Sequence, residues 1–441
     1  MGWRAPAFGL LGAILIVVGL SGCIVTAVAA DLFDEGPVPE AAIEAEAWLD
    51  VEPTEPEPDP QVGELADPFL APQIPRLSSI NGRFLLLNMH GALFHSDIKE
   101  LEEDVSYASW MKAGAIRVFA TDNNSLKDWS GRQVGNRIAD AAPALRSNGV
   151  KLIVALVNNH RPVPGEPADS FGFMDGFHQL LLPFYTTNYP KAYLPFVREL
   201  IETVKERGAL DVIFAWEFGN ELHATMGPEA IIPFMTAVAA EIRNLDPDTP
   251  ILPGTMGVEH LNPGNPRSPL GPWLYCDAPI DAYTLHSYDW LGPDMQGDMT
   301  ISNDFDLVLS RPCANGRKLP VIIEELGTSR FIPGLYSAAE EDRRVDQEVR
   351  QIRYVLSHPG ITVIGIGPWN GESPKLSDRL YYDNRRGLTA YGPANDGGGS
   401  CYAGQNGARC RFEQILRNLP SLPYARGQRA RSEALCSAGT P

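Results

Sequence analysis

Apolar runs of four to seven residues recur through the middle of the chain, each followed by a polar cluster. Arg83–Met89, Ala115–Ala120, Lys151–Val157 and Asp211–Glu217 read as four strands. Pro250–Pro253, Ala282–His286, Pro320–Glu324 and Ile361–Ile366 read as four more. These runs are apolar on both faces, as parallel strands are when helices cover the sheet. Between them lie stretches of helical periodicity: Ile98–Ala113, Gln133–Asn148, Tyr193–Arg207, Glu229–Leu245 and Glu340–Ser357. Gly149 and Gly208 stand in helix-stop positions, and Pro359-Gly360 follows the last stretch. Eight strands alternating with helices predict an α/β fold, most simply a (β/α)8 TIM barrel, with a doubly wound sheet as the main alternative. No internal repeat is visible.

The pattern changes at the N-terminus. Arg4, the apolar run Ala7–Leu20 and then Leu20-Ser21-Gly22-Cys23 give residues 1–30 a basic start, an apolar middle and small residues, the layout of an export signal. Three readings stay open: a lipobox-like site with Cys23 lipidated, cleavage at Ala27-Val28-Ala29, or an uncleaved anchor, which needs ~20 apolar residues. All three export the rest, to the cell surface, a membrane tether or the medium. Residues 31–75 hold nine prolines and thirteen acids without a Lys or Arg. Proline stiffness and like-charge repulsion make this an extended linker of ~3.1 Å per residue. Residues 76–441 then form the barrel, with a C-terminal extension from about 391.

Composition narrows the function class. A length of 441 residues suits one large barrel better than three small domains. With 44% hydrophobic and 21% charged residues, the chain is not a disordered one. The net charge of −19 argues against a nucleic-acid partner, because phosphate contacts need a basic surface. None of the six cysteines has Cys-x-x-Cys spacing, so a zinc or redox site is not indicated. Cys401 with Cys410, and Cys276 with Cys313, are possible bridges; Cys436 adds an odd one, and connectivity stays open.

In a barrel the chemistry sits where strands end. Here the strand ends are polar: Arg117 in the second run, Asn158-Asn159-His160 after the third, Trp216-Glu217-Phe218-Gly219-Asn220-Glu221 at the fourth, His286-Ser287-Tyr288-Asp289-Trp290 at the sixth, Glu324-Glu325-Leu326-Gly327 at the seventh, and Trp369 at the eighth. Carboxylates at two strand ends suit glycoside hydrolysis, in which one carboxyl protonates the leaving oxygen and the other attacks the anomeric carbon or activates a water. Trp216, Tyr288, Trp290 and Trp369 offer flat apolar surfaces for sugar faces. His90 and His95 have no third ligand at metal spacing, so they read as loop or subsite residues.

Trp216-Glu217 leading to Asn220-Glu221, then His286-Ser287-Tyr288, Glu325-Leu326-Gly327 and Trp369, resembles glycoside hydrolase family 5, the cellulase and β-mannanase family of retaining (β/α)8 enzymes, over roughly residues 80–375. The resemblance implies Glu221 as acid/base and Glu325 as nucleophile. It implies Asn220 on the sugar 2-hydroxyl, Arg117 steadying the nucleophile, His286 and Tyr288 around the two glutamates, and Trp369 as sugar platform. Asn159 and His160 join Trp290 as substrate-binding candidates, the Asn-Asn pair being closer to mannanases than to cellulases. Leu326 departs from the aromatic residue usual after the nucleophile. Glu217 is a rival acid, more simply a supporting carboxylate, and Glu324 is a rival nucleophile. Strict alternation would put Val321, Ile323 and Glu325 on one side and Ile322 and Glu324 on the other.

With export read from residues 1–30, the resemblance implies a retaining hydrolase of β-1,4-linked polysaccharide, mannan or glucomannan ahead of cellulose or other β-glucan. It implies no cofactor and no metal, a monomer, and membrane contact only through the N-terminus. A non-catalytic carbohydrate-binding surface protein is the alternative from another class.

Overall fold

The computed structural model describes residues 84–94, 97–121, 129–158, 187, 189–191, 193–221, 228–254, 278–290, 319–329, 338–358, 362–369, 371, 373, 374, 376 and 400–419. The export segment with Cys23, the acidic linker, His95, Asn159, His160, Cys276, Cys313 and Cys436 lie outside the described residues. So do the side chains of Tyr288 and Trp290. Among the described residues, no helix is long and apolar enough to cross a membrane.

Eight strands form one parallel sheet: β1 (Phe84–Asn88), β2 (Ala113–Phe119), β3 (Lys151–Ala155), β4 (Ile213–Glu217), β5 (Ile251–Leu252), β6 (Tyr283–Trp290), β7 (Val321–Ser329) and β8 (Val363–Pro368). Each pairs with its successor from β1 to β5 and from β6 to β8, and β1 pairs with β8. Between β5 and β6 the wall is drawn together just before β6. The Asp281 amide donates to the Ile251 carbonyl at 2.9 Å, and the Ile251 amide donates to Asp281 Oδ2 at 2.7 Å. With helices between the strands, this is a (β/α)8 barrel and not an open doubly wound sheet.

The helices are α1 (Ile98–Trp110), α2 (Gly131–Asn148), α3 (Tyr193–Glu206), α4 (Pro228–Leu245), α5 (Ala338–Ser357) and α6 (Ala408–Arg417). Local chemistry sets their ends. Asp97 caps α1 by accepting from the Lys99 amide at 3.0 Å. Ser130 and Gln133 form a reciprocal capping box at the start of α2, which stops at Gly149 with φ 67°. Along α2, Val134, Ile138, Ala141, Ala142 and Leu145 are buried at helical spacing.

Strand alternation divides the apolar residues into two cores. Residues such as Leu85, Ile116, Val154, Trp216 and Ile323 pack outward against the helices. Leu86, Ala115, Ile153, Ala215, Leu252, Ala282, Ile322 and Ile364 fill the barrel interior. Trp216 is therefore a core residue and not a sugar platform: Ala215 and Glu217 face inward, so Trp216 faces out, fully buried, its indole N–H on Asp246 at 2.9 Å.

Two departures from the sequence reading bear on function. β6 and β7 run on to Trp290 and Ser329, well past the expected ends at His286 and Glu324, because the two strands keep pairing up to Trp290↔Ser329. The expected strict alternation in β7 also fails. Leu285 pairs with Ile323 but His286 pairs with Glu325, so β7 carries one extra residue at Glu324. Beyond the barrel, α6 was not foreseen. Its buried Glu413 accepts hydrogen bonds from Tyr107 Oη (2.8 Å), Ser400 Oγ (2.7 Å) and Arg409 Nε (3.0 Å), and Cys401 and Cys410 are bridged.

Candidate active site

Inside the barrel the chain turns from apolar to polar or charged in steps of two residues. Leu86 is followed by Asn88, Ala115 by Arg117, Ala215 by Glu217 and Ile322 by Glu324. Because side chains on one face of a strand recur every second residue, each charged group stands directly above an apolar one. The charged tier is therefore the C-terminal mouth of the barrel, floored by aliphatic packing.

Arg117 is fully buried and is the hub of this tier. Its Nε and Nη2 grip the two carboxylate oxygens of Glu217 at 2.8 and 2.6 Å. Nη2 also donates to Asn220 Oδ1 at 2.8 Å, and Nη1 donates to Glu325 at 2.7 Å and Asn88 Oδ1 at 3.1 Å. Burial alone would lower its pKa, but the charges of Glu217 and Glu324 overcome this and hold it well above the ordinary value. Burial pushes the Glu217 carboxyl up to about 8, helped by the Glu324 charge and opposed by Arg117. Glu217 thus belongs to the arginine.

His286 is also fully buried, between carboxylates on both sides. Nδ1 lies 3.0 Å from Glu221 Oε1 and 3.4 Å from Glu325 Oε1. Nε2 lies 3.5 Å from Glu324 Oε2. Burial lowers the pKa of the ring, but the Glu325 charge and the carboxylates of Glu221 and Glu324 on either side outweigh it and raise it to about 10. The ring is then an imidazolium at neutral pH, and Nδ1–H donates to Glu221. One oxygen each of Glu221 and Glu325 and a ring nitrogen of His286 lie within 4.8 Å of one another, the only such three-residue set among the described residues. Protonated on both nitrogens, the ring donates toward the carboxylates around it.

Glu221 occupies a left-handed backbone position, φ 52°, uncommon for a residue with a side chain. Its amide donates to the Gly254 carbonyl at 2.7 Å, and the preceding amide, of Asn220, donates to the Val157 carbonyl at 2.6 Å. Asn220 Nδ2 meets Asn158 Oδ1 at 3.2 Å, and the Asn158 amide donates to Thr121 Oγ1 at 3.0 Å. The ends of β2, β3, β4 and β5 are thus tied together beneath Glu221.

Trp369, just past β8, is half-buried, and its ring stacks on that of His90 at 5.0 Å and 6°. Its amide donates to the Leu326 carbonyl at 2.9 Å. The structure therefore brings together Arg117, Asn220, Glu221, His286 and Glu325, and places Trp369 at the same mouth. Tyr288 and Trp290 stand in the last part of β6. Sequence reasoning missed Asn88, whose Nδ2 also donates to the Glu324 carbonyl, and Gly254. The signal for Asn88 was a single polar residue closing Phe84-Leu85-Leu86-Leu87. No local signal marks Gly254.

No protein-family model and no curated protein sequence matches the chain. Among solved structures it is similar to an endo-β-1,4-mannanase from Thermotoga petrophila, with 18% identity over 76% of this chain and 77% of that one, TM-score 0.49. It is also similar to an endo-1,4-β-mannanase from Rhizomucor miehei, with 17% identity, 66% and 89% coverage and TM-score 0.43. A glycoside hydrolase family 5 mannosidase from the same fungus gives 17% identity, 64% and 80% coverage and TM-score 0.44.

Proposed function

We propose that the chain is a retaining glycoside hydrolase of the family 5 type, acting on β-1,4-linked polysaccharide, with mannan or glucomannan as the favoured substrate. One observation carries the reading: carboxylate oxygens of Glu221 and Glu325 within 4.8 Å of each other at the barrel mouth. Retaining enzymes hold the two carboxyls ~5–5.5 Å apart, whereas inverting enzymes leave ~6.5–9.5 Å for a water. The short spacing supports direct attack by a carboxylate.

In this reading Glu325, which accepts a hydrogen bond from Arg117 Nη1 at 2.7 Å, attacks the anomeric carbon. The bond to the leaving oxygen breaks as Glu221 delivers its proton there. A water then attacks the same carbon and gives its proton to Glu221, and Glu325 departs as carboxylate. Arg117 and His286 stand as cations beside these carboxyls at neutral pH. Asn220 meets the 2-hydroxyl, Trp369 carries the sugar face, and Asn159, His160, Tyr288 and Trp290 are the further substrate-binding candidates. No cofactor enters this chemistry. Export through residues 1–30, with tethering at Cys23, places it outside the cell.

The test is a panel of soluble mannan, glucomannan and β-glucan, with NMR of the first product. The anomeric configuration should be kept. Glu325→Ala should abolish cleavage of every substrate, and azide should restore it by replacing the nucleophile. Glu221→Ala should lose polymer cleavage while sparing the first step on an activated aryl glycoside. An inverted product, or full activity in Glu325→Ala, overturns the mechanism. Binding without cleavage by the native chain makes it a carbohydrate-binding protein instead.

A further inference from the structure

Glu324 is a buried carboxylate that the double displacement does not use. Alternation from Ile322 already turns it into the barrel, and the extra residue in β7 turns Glu325 in beside it, where alternation would have allowed only one of the two. It is fully buried, and among the described residues neither of its oxygens accepts a hydrogen bond. Such a group is costly unless cations compensate it. Two face it: Nε2 of His286 at 3.5 Å and Nε of Arg117 at 3.9 Å. Arg117 is already committed to Glu217 and Glu325. His286 is the group that Glu324 can influence.

A neutral imidazole carries one N–H and can serve one side only. His286 has Glu221 and Glu325 at one nitrogen and Glu324 at the other. We propose that Glu324 is a positioning residue: from the far side of the ring it keeps His286 protonated on both nitrogens, and so fixes an Nδ1–H donor on Glu221 and Glu325. The titratable groups facing the ring among the described residues are Arg117 from β2, Glu217 and Glu221 at the end of β4, and Glu324 and Glu325 from β7. Only Arg117 opposes the cation. The resulting positive charge stands beside the two proposed catalytic carboxyls and favours negative charge that develops there. That consequence rests on the glycosidase reading; the state of the ring does not.

The test is nitrogen NMR of the His286 ring across pH in the full chain and in Glu324→Gln, which keeps the shape and removes the charge. In the native chain the imidazolium signature should persist at pH 8, where an ordinary histidine, with a pKa of ~6.5, is neutral. In Glu324→Gln the titration should move down by about one pH unit or more. On substrate, both limbs of the kcat/KM profile should move to lower pH, because removing a negative charge eases the loss of every neighbouring proton; Glu324→Asp should restore them. A neutral His286 at pH 8 in the native chain overturns the proposal even if the variant fails to fold. An unshifted titration in a folded Glu324→Gln overturns it too. A shifted ring in a chain that cleaves no glycan upholds the proposal for His286 and rejects the catalytic reading instead.

Discussion

At the scale of single residues, the site depends on how side chains are backed. Trp369 is half-buried and lies flat on His90, whose ring is 2% exposed and packs 5.6 Å from Phe119. A residue beneath the ring keeps it at one tilt, which is what a sugar platform requires. Trp369→Ala should therefore cut polymer turnover by about tenfold or more, a loss of ~1.4 kcal/mol in transition-state binding. The thermal midpoint should fall by less than a fully buried aromatic would cause, where truncation costs ~3–5 kcal/mol. Parallel kinetics and melting curves check both, and a badly destabilised variant with normal kinetics rejects the platform role. The partners of Arg117 belong to this scale as well. Sequence reasoning paired it with the nucleophile, whereas the guanidinium also holds Glu217 with two bonds and reaches Asn88 and Asn220. Those contacts span the barrel and leave no trace in local sequence.

At the scale of elements, the loops after β4 and β5 must interlock for Glu221 to hold its left-handed backbone. Gly254 makes that possible. It has φ 64°, and a Cβ there would stand 1.9 Å from the Gly219 carbonyl and 2.2 Å from Glu217 Oε1. Gly254→Ala should displace Glu217 and the turn that carries Glu221, destabilising the fold and abolishing cleavage. Gly149 is the control, with φ 67° and nothing within 4 Å of a Cβ. Gly149→Ala should cost only the left-handed penalty of ~1–2 kcal/mol and leave the site intact. Equal effects of the two substitutions on turnover would show that Gly254 has no special tie to the site. Helix limits were legible at this scale because caps are local. Ser130, Gln133 and Gly149 act within a few residues of themselves. The bulge in β7 was not legible, because it is a property of the pairing with β6.

At the scale of the molecule, the buried charged tier links stability to pH. The folded-state pKa of His286 is raised to about 10, so its stabilising contribution is fully present below the ordinary value of ~6.5 and is lost as pH rises through 10. Glu217 acts in the same direction. Its carboxyl holds a proton up to about 8 in the fold and only to ~4.3 when unfolded, so the fold loses stability as pH rises between these values. The thermal midpoint should therefore be higher near pH 5 than near pH 9. Calorimetry across that range checks this, and a flat or rising midpoint would show that the tier is not protonated as described.

The barrel itself was readable from the chain alone. Eight apolar runs with five amphipathic helical stretches between them leave few other ways to bury both faces of the strands, and parallel connectivity follows from the crossovers. The polar strand ends also marked the mouth, since a charged residue two places beyond an inward aliphatic one must share its direction. Which of Glu324 and Glu325 faces inward was beyond that rule. The structure turns both inward, because one extra residue in β7 breaks the two-residue period against β6. Trp216 was misplaced for the converse reason: its direction depends on which neighbours face the barrel, a fact of closure. Periodicity is short-range and is written along the chain. Register and the protonation of a shared cluster arise between strands distant in sequence, so only the folded barrel decides them.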